Sequence, residues 1–193
     1  MHTQLLNIFN SIAKLTKEEE EAIVTAFKPY PLAKGEYFLR EGEVNKYVGF
    51  INKGLVRYWV YKNDEEATFE FTKEGEFIAD YQSFTNGTPT VQNIQAIEDC
   101  ELMVINYKDV QHIFNSTPNG NLLGRIIVEH RFDVMVNQLL SIYMHDHVER
   151  YRRFLDQYTD LAQRIPQYLI ASYVGVQPQS LSRIRKRLSD NIS

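Results

Sequence analysis

Ile165-Pro166-Gln167-Tyr168-Leu169-Ile170-Ala171-Ser172-Tyr173-Val174-Gly175-Val176-Gln177-Pro178-Gln179-Ser180-Leu181-Ser182-Arg183-Ile184-Arg185-Lys186-Arg187-Leu188 reads as two short helices about a turn. Ile170, Tyr173 and Val174 share the inward side of the first helix, and Ala171 is small enough to let a second helix come close. Gly175 supplies the positive φ that a sharp turn demands, and Val176 fills the space between the helices. Pro178 suits the first position of the second helix, where a backbone N–H would have no partner in any case. Leu181, Ile184 and Leu188 then form its buried stripe. This is the plan of a helix-turn-helix.

The second helix leaves Gln177, Gln179, Ser180, Ser182, Arg183, Lys186 and Arg187 outward. Gln179 and Arg183 are four residues apart and share one face in the N-terminal half, where base edges are usually reached. Arginine pairs bidentately with guanine, and glutamine with adenine. Ser180, Ser182, Lys186 and Arg187 are suited to phosphates. Charge agrees with this reading. The whole chain carries a net −4, but residues 150–193 hold eight basic side chains against Asp156, Asp160 and Asp190. That end is therefore +5 and the remainder −9, an asymmetry that points to a polyanionic partner at one end, double-stranded DNA.

Upstream, residues 121–147 read as one long helix. Leu123, Ile127 and Val134 fall on one face, and Val128, Phe132, Met135, Leu139 and Tyr143 on the opposite one. A helix apolar on two sides must be covered on two sides. The expected cover is the chain's own β-module on one side and a twin helix of a second copy on the other, which makes a homodimer; a monomer that buries both faces is the alternative.

From Pro29 to about Tyr107 the periodicity shortens. Leu55–Tyr61 is rich in β-branched and aromatic residues, and Gln92–Ile97 and Leu102–Ile105 are similar. Gly35, Gly42, Gly54, Gly75 and Gly87 punctuate these segments, so a sandwich, roll or barrel is expected. Residues 3–27 read as helical, with Thr16-Lys17-Glu18-Glu19 as a capping box before a second helix. The lone Cys100 lies in a strand-like context and reads as a buried packing residue.

Other classes find little support. A β-roll also suits a cupin-like metalloenzyme, but His145-Asp146-His147 is the one close histidine pair, and i, i+2 positions of a helix diverge. No G-x-S-x-G or P-loop occurs, so no enzyme is expected. A small-molecule-binding module acting on a protein partner is the remaining alternative, and the basic second helix argues against it. No apolar run approaches the ~20 residues that span a bilayer. The N-terminus shows no basic patch followed by an apolar run, so a cytoplasmic protein without membrane contact is expected.

Taken in order, these elements resemble the Crp/Fnr family of bacterial transcription regulators. Leu39-Arg40-Glu41-Gly42-Glu43, Phe50 through Arg57, and Gly75-Glu76-Phe77-Ile78 resemble the turns and phosphate-binding cassette of its cyclic-nucleotide-binding β-roll. Val174-Gly175-Val176 and Ser180-Leu181-Ser182-Arg183-Ile184 resemble its recognition helix. Pro166 through Tyr173 is similar to members common in the Bacteroidetes. The resemblance implies an α+β chain: a roll over residues 1–118, a dimerisation helix over 119–148 and a helix-turn-helix domain over 149–193. It also implies RNA polymerase as a further partner.

Two departures stand out. Cyclic-nucleotide-binding relatives place an acid on the ribose and, about ten residues on, an arginine on the cyclic phosphate. The matching positions here are Ala79-Asp80 and Thr90-Val91-Gln92. Thr90 cannot replace a guanidinium, and losing a charged hydrogen bond costs on the order of 1.5–3 kcal/mol. Cyclic AMP is therefore disfavoured as effector. Phe77, Ala79, Asp80, Tyr81, Thr90, Val91 and Gln92 remain the candidate pocket for some other small molecule, if any is used. The family also sets a β-wing after the recognition helix, whereas only Ser189 to Ser193 follow Leu188, which predicts a reader lacking a full wing.

Overall fold

The computed structural model describes residues 2–190. Two helices lead in, α1 (Thr3–Ile12) and α2 (Lys17–Ala26). The capping box forms as the sequence predicts: the Thr16 hydroxyl accepts the Glu19 N–H, and the Glu19 carboxylate accepts the Thr16 N–H. Glu19 is buried, and the same carboxylate also accepts the backbone N–H of Asn119 at 2.7 Å and its side-chain amide at 2.9 Å. Burial pushes this carboxyl up, but the three N–H donors from Thr16 and Asn119 outweigh it and hold it below the ordinary glutamate value.

Eight strands follow: β1 (Lys28–Leu32), β2 (Tyr37–Leu39), β3 (Tyr47–Lys53), β4 (Val56–Lys62), β5 (Glu65–Thr72), β6 (Phe77–Ile78), β7 (Asn93–Ala96) and β8 (Cys100–Asn106), with α3 (Tyr81–Asn86) between β6 and β7. They make two four-stranded sheets, ordered β1-β8-β3-β6 and β2-β7-β4-β5. Pro29 and Pro31 lie inside β1 and do not break it, because β1 is an edge strand and need not donate to a second neighbour. Asn63 and Asp64, both at positive φ, form the two-residue turn from β4 to β5, as a tight hairpin requires. The core gathers Leu5, Phe9, Ile23, Phe27, Phe50, Met103, Ile105, Val110, Ile113 and Leu123.

After β8, five further helices follow among the described residues: α4 (Tyr107–Ser116), α5 (Gly120–Met144), α6 (His147–Gln157), α7 (Gln167–Val174) and α8 (Pro178–Asp190). Gly124 lets α5 lie directly on the Phe114 ring of α4, where a Cβ would collide. The long helix stops at Met144 and does not reach 147, which corrects the sequence reading. The Asp146 side chain accepts the Glu149 N–H and caps a new helix there, so the histidine pair straddles a break and does not end a helix. Ser189 and Asp190 continue α8, and the remaining positions on which the missing wing was argued lie outside the described residues.

The chain divides into two compact units. One holds residues up to Tyr58 and Phe71–Phe132; the other holds Trp59–Glu70 and the described residues from Asp133 on. The outer half of the β4–β5 hairpin is thus grouped with the C-terminal helices.

Candidate nucleic-acid interface

The C-terminal pair is built from its turn outward. Gly175 adopts φ 83°, and its N–H reaches the carbonyls of Ala171 and Ser172, while the Val176 N–H returns to Ala171. This Schellman-type closure ends α7 and aims the chain into α8. Ile170, Ala171 and Val174 are buried on α7 and Leu181 is 1% exposed on α8, with Tyr173, Val176, Ile184 and Leu188 half-buried. The predicted inward set is therefore the observed one.

The opposite side of α8 is open. Gln177, Gln179, Ser182, Arg183, Lys186 and Arg187 are exposed, and Ser180 is half-buried. Arg183 lines an open hollow of about 500 Å³ with Asp146, His147, Val176, Gln177 and Ser180. Arg185 was not among the outward candidates. Its Nη1 donates to Gln167 Oε1 at 2.6 Å, so it ties α8 to the start of α7.

Two further residues were missed by sequence reasoning. Arg150 Nη2 donates to the Tyr173 carbonyl at 2.8 Å, and His147 Nδ1 lies 3.2 Å from the Val174 carbonyl oxygen. These are the last carbonyls of α7, and a cation there also complements the helix dipole. Burial pushes the Arg150 guanidinium down from its ordinary value. Gly175 matters here a second time: a Cβ would come within 3.1 Å of Arg150 Nη1. No local pattern links residues more than twenty positions apart, so only the excess of basic side chains after residue 149 hinted at Arg150.

The cassette residues behave differently. Asp80 caps α3 through the Ser83 N–H, and its second oxygen accepts the Thr90 hydroxyl at 2.5 Å. Thr90 in turn accepts the Gln92 N–H at 3.1 Å. Asp80 and Thr90 are both buried. Burial pushes the Asp80 carboxyl up, but hydrogen bonds from Thr90, Gln92 and the backbone N–H groups of Ser83 and Gln82 prevail and hold it low. Phe77 packs against Phe9 and Phe50. The Ala79 N–H donates to the Tyr58 hydroxyl. Tyr81 and Val91 are exposed, and Gln92 is half-buried. The structure brings Asp80, Thr90 and Gln92 together, but as a closed set of mutual bonds.

On α5 Leu123 is buried and Ile127 and Val134 are half-buried, while Val128, Phe132, Met135, Leu139 and Tyr143 are exposed, Phe132 at 64% and Tyr143 at 81%. Among the described residues no group of three His, Cys, Asp or Glu is placed to hold a metal ion. No described helix is long and apolar enough to cross a membrane.

A two-sheet β-roll continued by a long helix and a C-terminal pair of helices defines an α+β architecture. Residues 30–117 match the cyclic nucleotide-binding domain family. Among solved structures, the chain is similar to the c-di-GMP responsive global regulator CLP of Xanthomonas campestris, at 16% identity and TM-score 0.74, covering 91% of this chain and 93% of that one. It is also similar to CooA of Carboxydothermus hydrogenoformans, a mutant form, at 17% identity and TM-score 0.70, covering 98% and 86%. A third likeness is to a regulator of the Crp/Fnr family from Eubacterium rectale, at 15% identity and TM-score 0.68, covering 96% and 88%. No curated protein matches by sequence. The chain has the fold of the Crp/Fnr-type regulators, and its residues 30–117 form a cyclic nucleotide-binding-type domain.

Proposed function

We propose that this chain is a DNA-binding transcription regulator that acts as a homodimer. The observation that carries the reading is α8: a helix anchored through Leu181, with Gln179, Ser182, Arg183, Lys186 and Arg187 all exposed on its other side. Gln179 and Arg183 are the base readers, and Ser180, Ser182, Lys186 and Arg187 engage phosphates, with Gln177 at the helix entry. The exposed apolar face of α5 favours pairing of two chains along that helix, because a row of Phe, Met and Leu side chains in water is unfavourable by about 25 cal/mol for each Å² left uncovered. Two readers then enter successive major grooves roughly 34 Å apart on a pseudo-palindromic site.

The roll does not take a cyclic nucleotide in the manner of nucleotide-binding relatives, because the acid at the ribose-contacting position, Asp80, is already engaged by Ser83 and Thr90. A ligand that seeks Asp80 must first break a buried, charged hydrogen bond.

The test is a fluorescence-anisotropy titration of promoter duplexes across a salt series, with wild-type chain and Arg183→Ala. The expected wild-type affinity falls steeply as salt rises, since each neutralised phosphate releases counterions. Arg183→Ala retains binding and loses sequence preference. Absence of binding at low ionic strength overturns the reading.

A further inference from the structure

Strand β5 is the edge of its sheet, so its outer backbone groups have no strand to pair with. Within the C-terminal unit, two of them are taken by a single side chain of α7. The Ser172 hydroxyl donates to the Glu66 carbonyl at 2.7 Å and accepts the Thr68 N–H at 2.9 Å. The same stretch of β5 brings Thr68 and Glu70 into burial. Burial pushes the phenol of Tyr173, next to Ser172 on α7, above its ordinary value, and Glu70 adds to that rise. Tyr173 also packs its ring on Phe154 and Tyr158 of the α6 segment. Strands β4 and β5 each have residues in both compact units, and the hairpin's outer half is grouped with the C-terminal helices.

We infer that Ser172 is a positioning residue of the reader: its hydroxyl is the catch by which β5 holds α7, so that the hairpin and the DNA-reading helix respond to each other. This rests on the DNA-reading assignment above and adds its regulation. The physical case is the double use of one hydroxyl. Removing it takes one hydrogen bond from the Glu66 carbonyl and one from the Thr68 N–H, while alanine keeps α7 helical. By linkage, if the hairpin's arrangement biases the reader, DNA bound at the reader must bias the hairpin by the same factor.

Amide hydrogen exchange of the full chain tests this, read at Thr68 and at Leu181, with and without a promoter duplex. In the DNA-free protein, Ser172→Ala is expected to speed Thr68 exchange by about fivefold, the scale of one net hydrogen bond, and to leave Leu181 unchanged. With duplex, wild-type Thr68 changes its exchange rate, Ser172→Ala abolishes that response, and Ser172→Thr restores it. A Thr68 rate that ignores Ser172→Ala without DNA overturns the catch. A duplex response that survives in Ser172→Ala overturns the coupling. If anisotropy shows no duplex binding at low ionic strength, the DNA-reading assignment fails and the coupling falls with it, whereas the DNA-free comparison still decides the catch.

Discussion

In the cassette, Asp80 and Thr90 bond each other and stay buried, whereas on α8 Arg183, Lys186 and Arg187 stand exposed over one anchored leucine. Both regions are polar stretches that include the start of a helix, α3 in the first and α8 in the second. In the first, the carboxylate of Asp80 serves its own helix cap and a neighbouring hydroxyl, so an incoming ligand competes with existing bonds. In the second, the apolar stripe supplies the anchoring and the polar side chains have no structural task to give up. A resemblance in sequence order to a nucleotide cassette therefore says less about binding than whether its polar atoms are already engaged.

The largest effect that bears on this contrast comes from α5. If two readers act together, the double substitution Met135→Glu and Leu139→Glu separates the chains and lowers duplex affinity by about 10² or more, since bivalent engagement is lost. Sedimentation should show a monomer with an intact far-UV spectrum. An unchanged dimer would remove the exposed α5 face from the pairing role.

Next in size is Arg183→Ala, which should cost about 1–3 kcal/mol on the preferred site and much less on an unrelated duplex. Lys186→Ala, in contrast, should weaken both duplexes alike and flatten the salt slope by about one unit. Competition binding separates the two outcomes, and identical behaviour of the two variants would erase the division between base readers and phosphate contacts.

In the cassette the sign of the effect reverses: substitution should harm stability and leave binding alone. Asp80→Ala removes a helix cap and a buried acceptor, so urea unfolding should show a loss of about 1–2 kcal/mol. Calorimetry with cyclic AMP should be equally silent for wild type and variant. Heat evolved by wild type and lost in Asp80→Ala would reopen the cassette as a binding site.

Acid sharpens the same point. Asp80 and Glu19 both have carboxyls held below their ordinary values when folded. A depressed carboxyl contributes stability above its unfolded pKa, near 4, and that contribution is lost as pH falls through the folded value. Stability should therefore be flat in these groups above about pH 5 and decline below about pH 4. In Glu19→Gln with Asp80→Asn the decline should be shallower when followed by thermal melts.

The smallest effect belongs to Cys100. Burial pushes its thiol up to about 11, with help from the charges of Glu98, Glu74 and Asp99. At neutral pH roughly one molecule in 10⁴ is thiolate. Iodoacetamide should leave the native chain unmodified and label it once in urea. Rapid labelling of the native chain would contradict a purely packing role.

Much of this was legible in the residues themselves. The Thr16–Glu19 capping box, the turn at Gly175 and the Leu181 anchor all formed where local pattern put them, because each depends on neighbours within a few positions. The five glycines expected at turns in the roll all adopt positive φ. The reach of α5 was overestimated because residues 145–147 contain neither glycine nor proline to mark an end, and the stop is set by Asp146 capping the next helix.

What the sequence by itself determined is the order of elements and the polar face of α8, since caps, turns and amphipathic stripes are encoded by residues close in the chain. Only the tertiary structure decided that Glu19 joins α2 to the start of α5, that Asp80 is closed off by Thr90, and that Arg150 and Ser172 hold α7. Those contacts link positions from ten to more than a hundred residues apart. A hydrogen bond depends on ångström-scale placement of donor and acceptor, which the packed chain fixes and the order of residues along it does not.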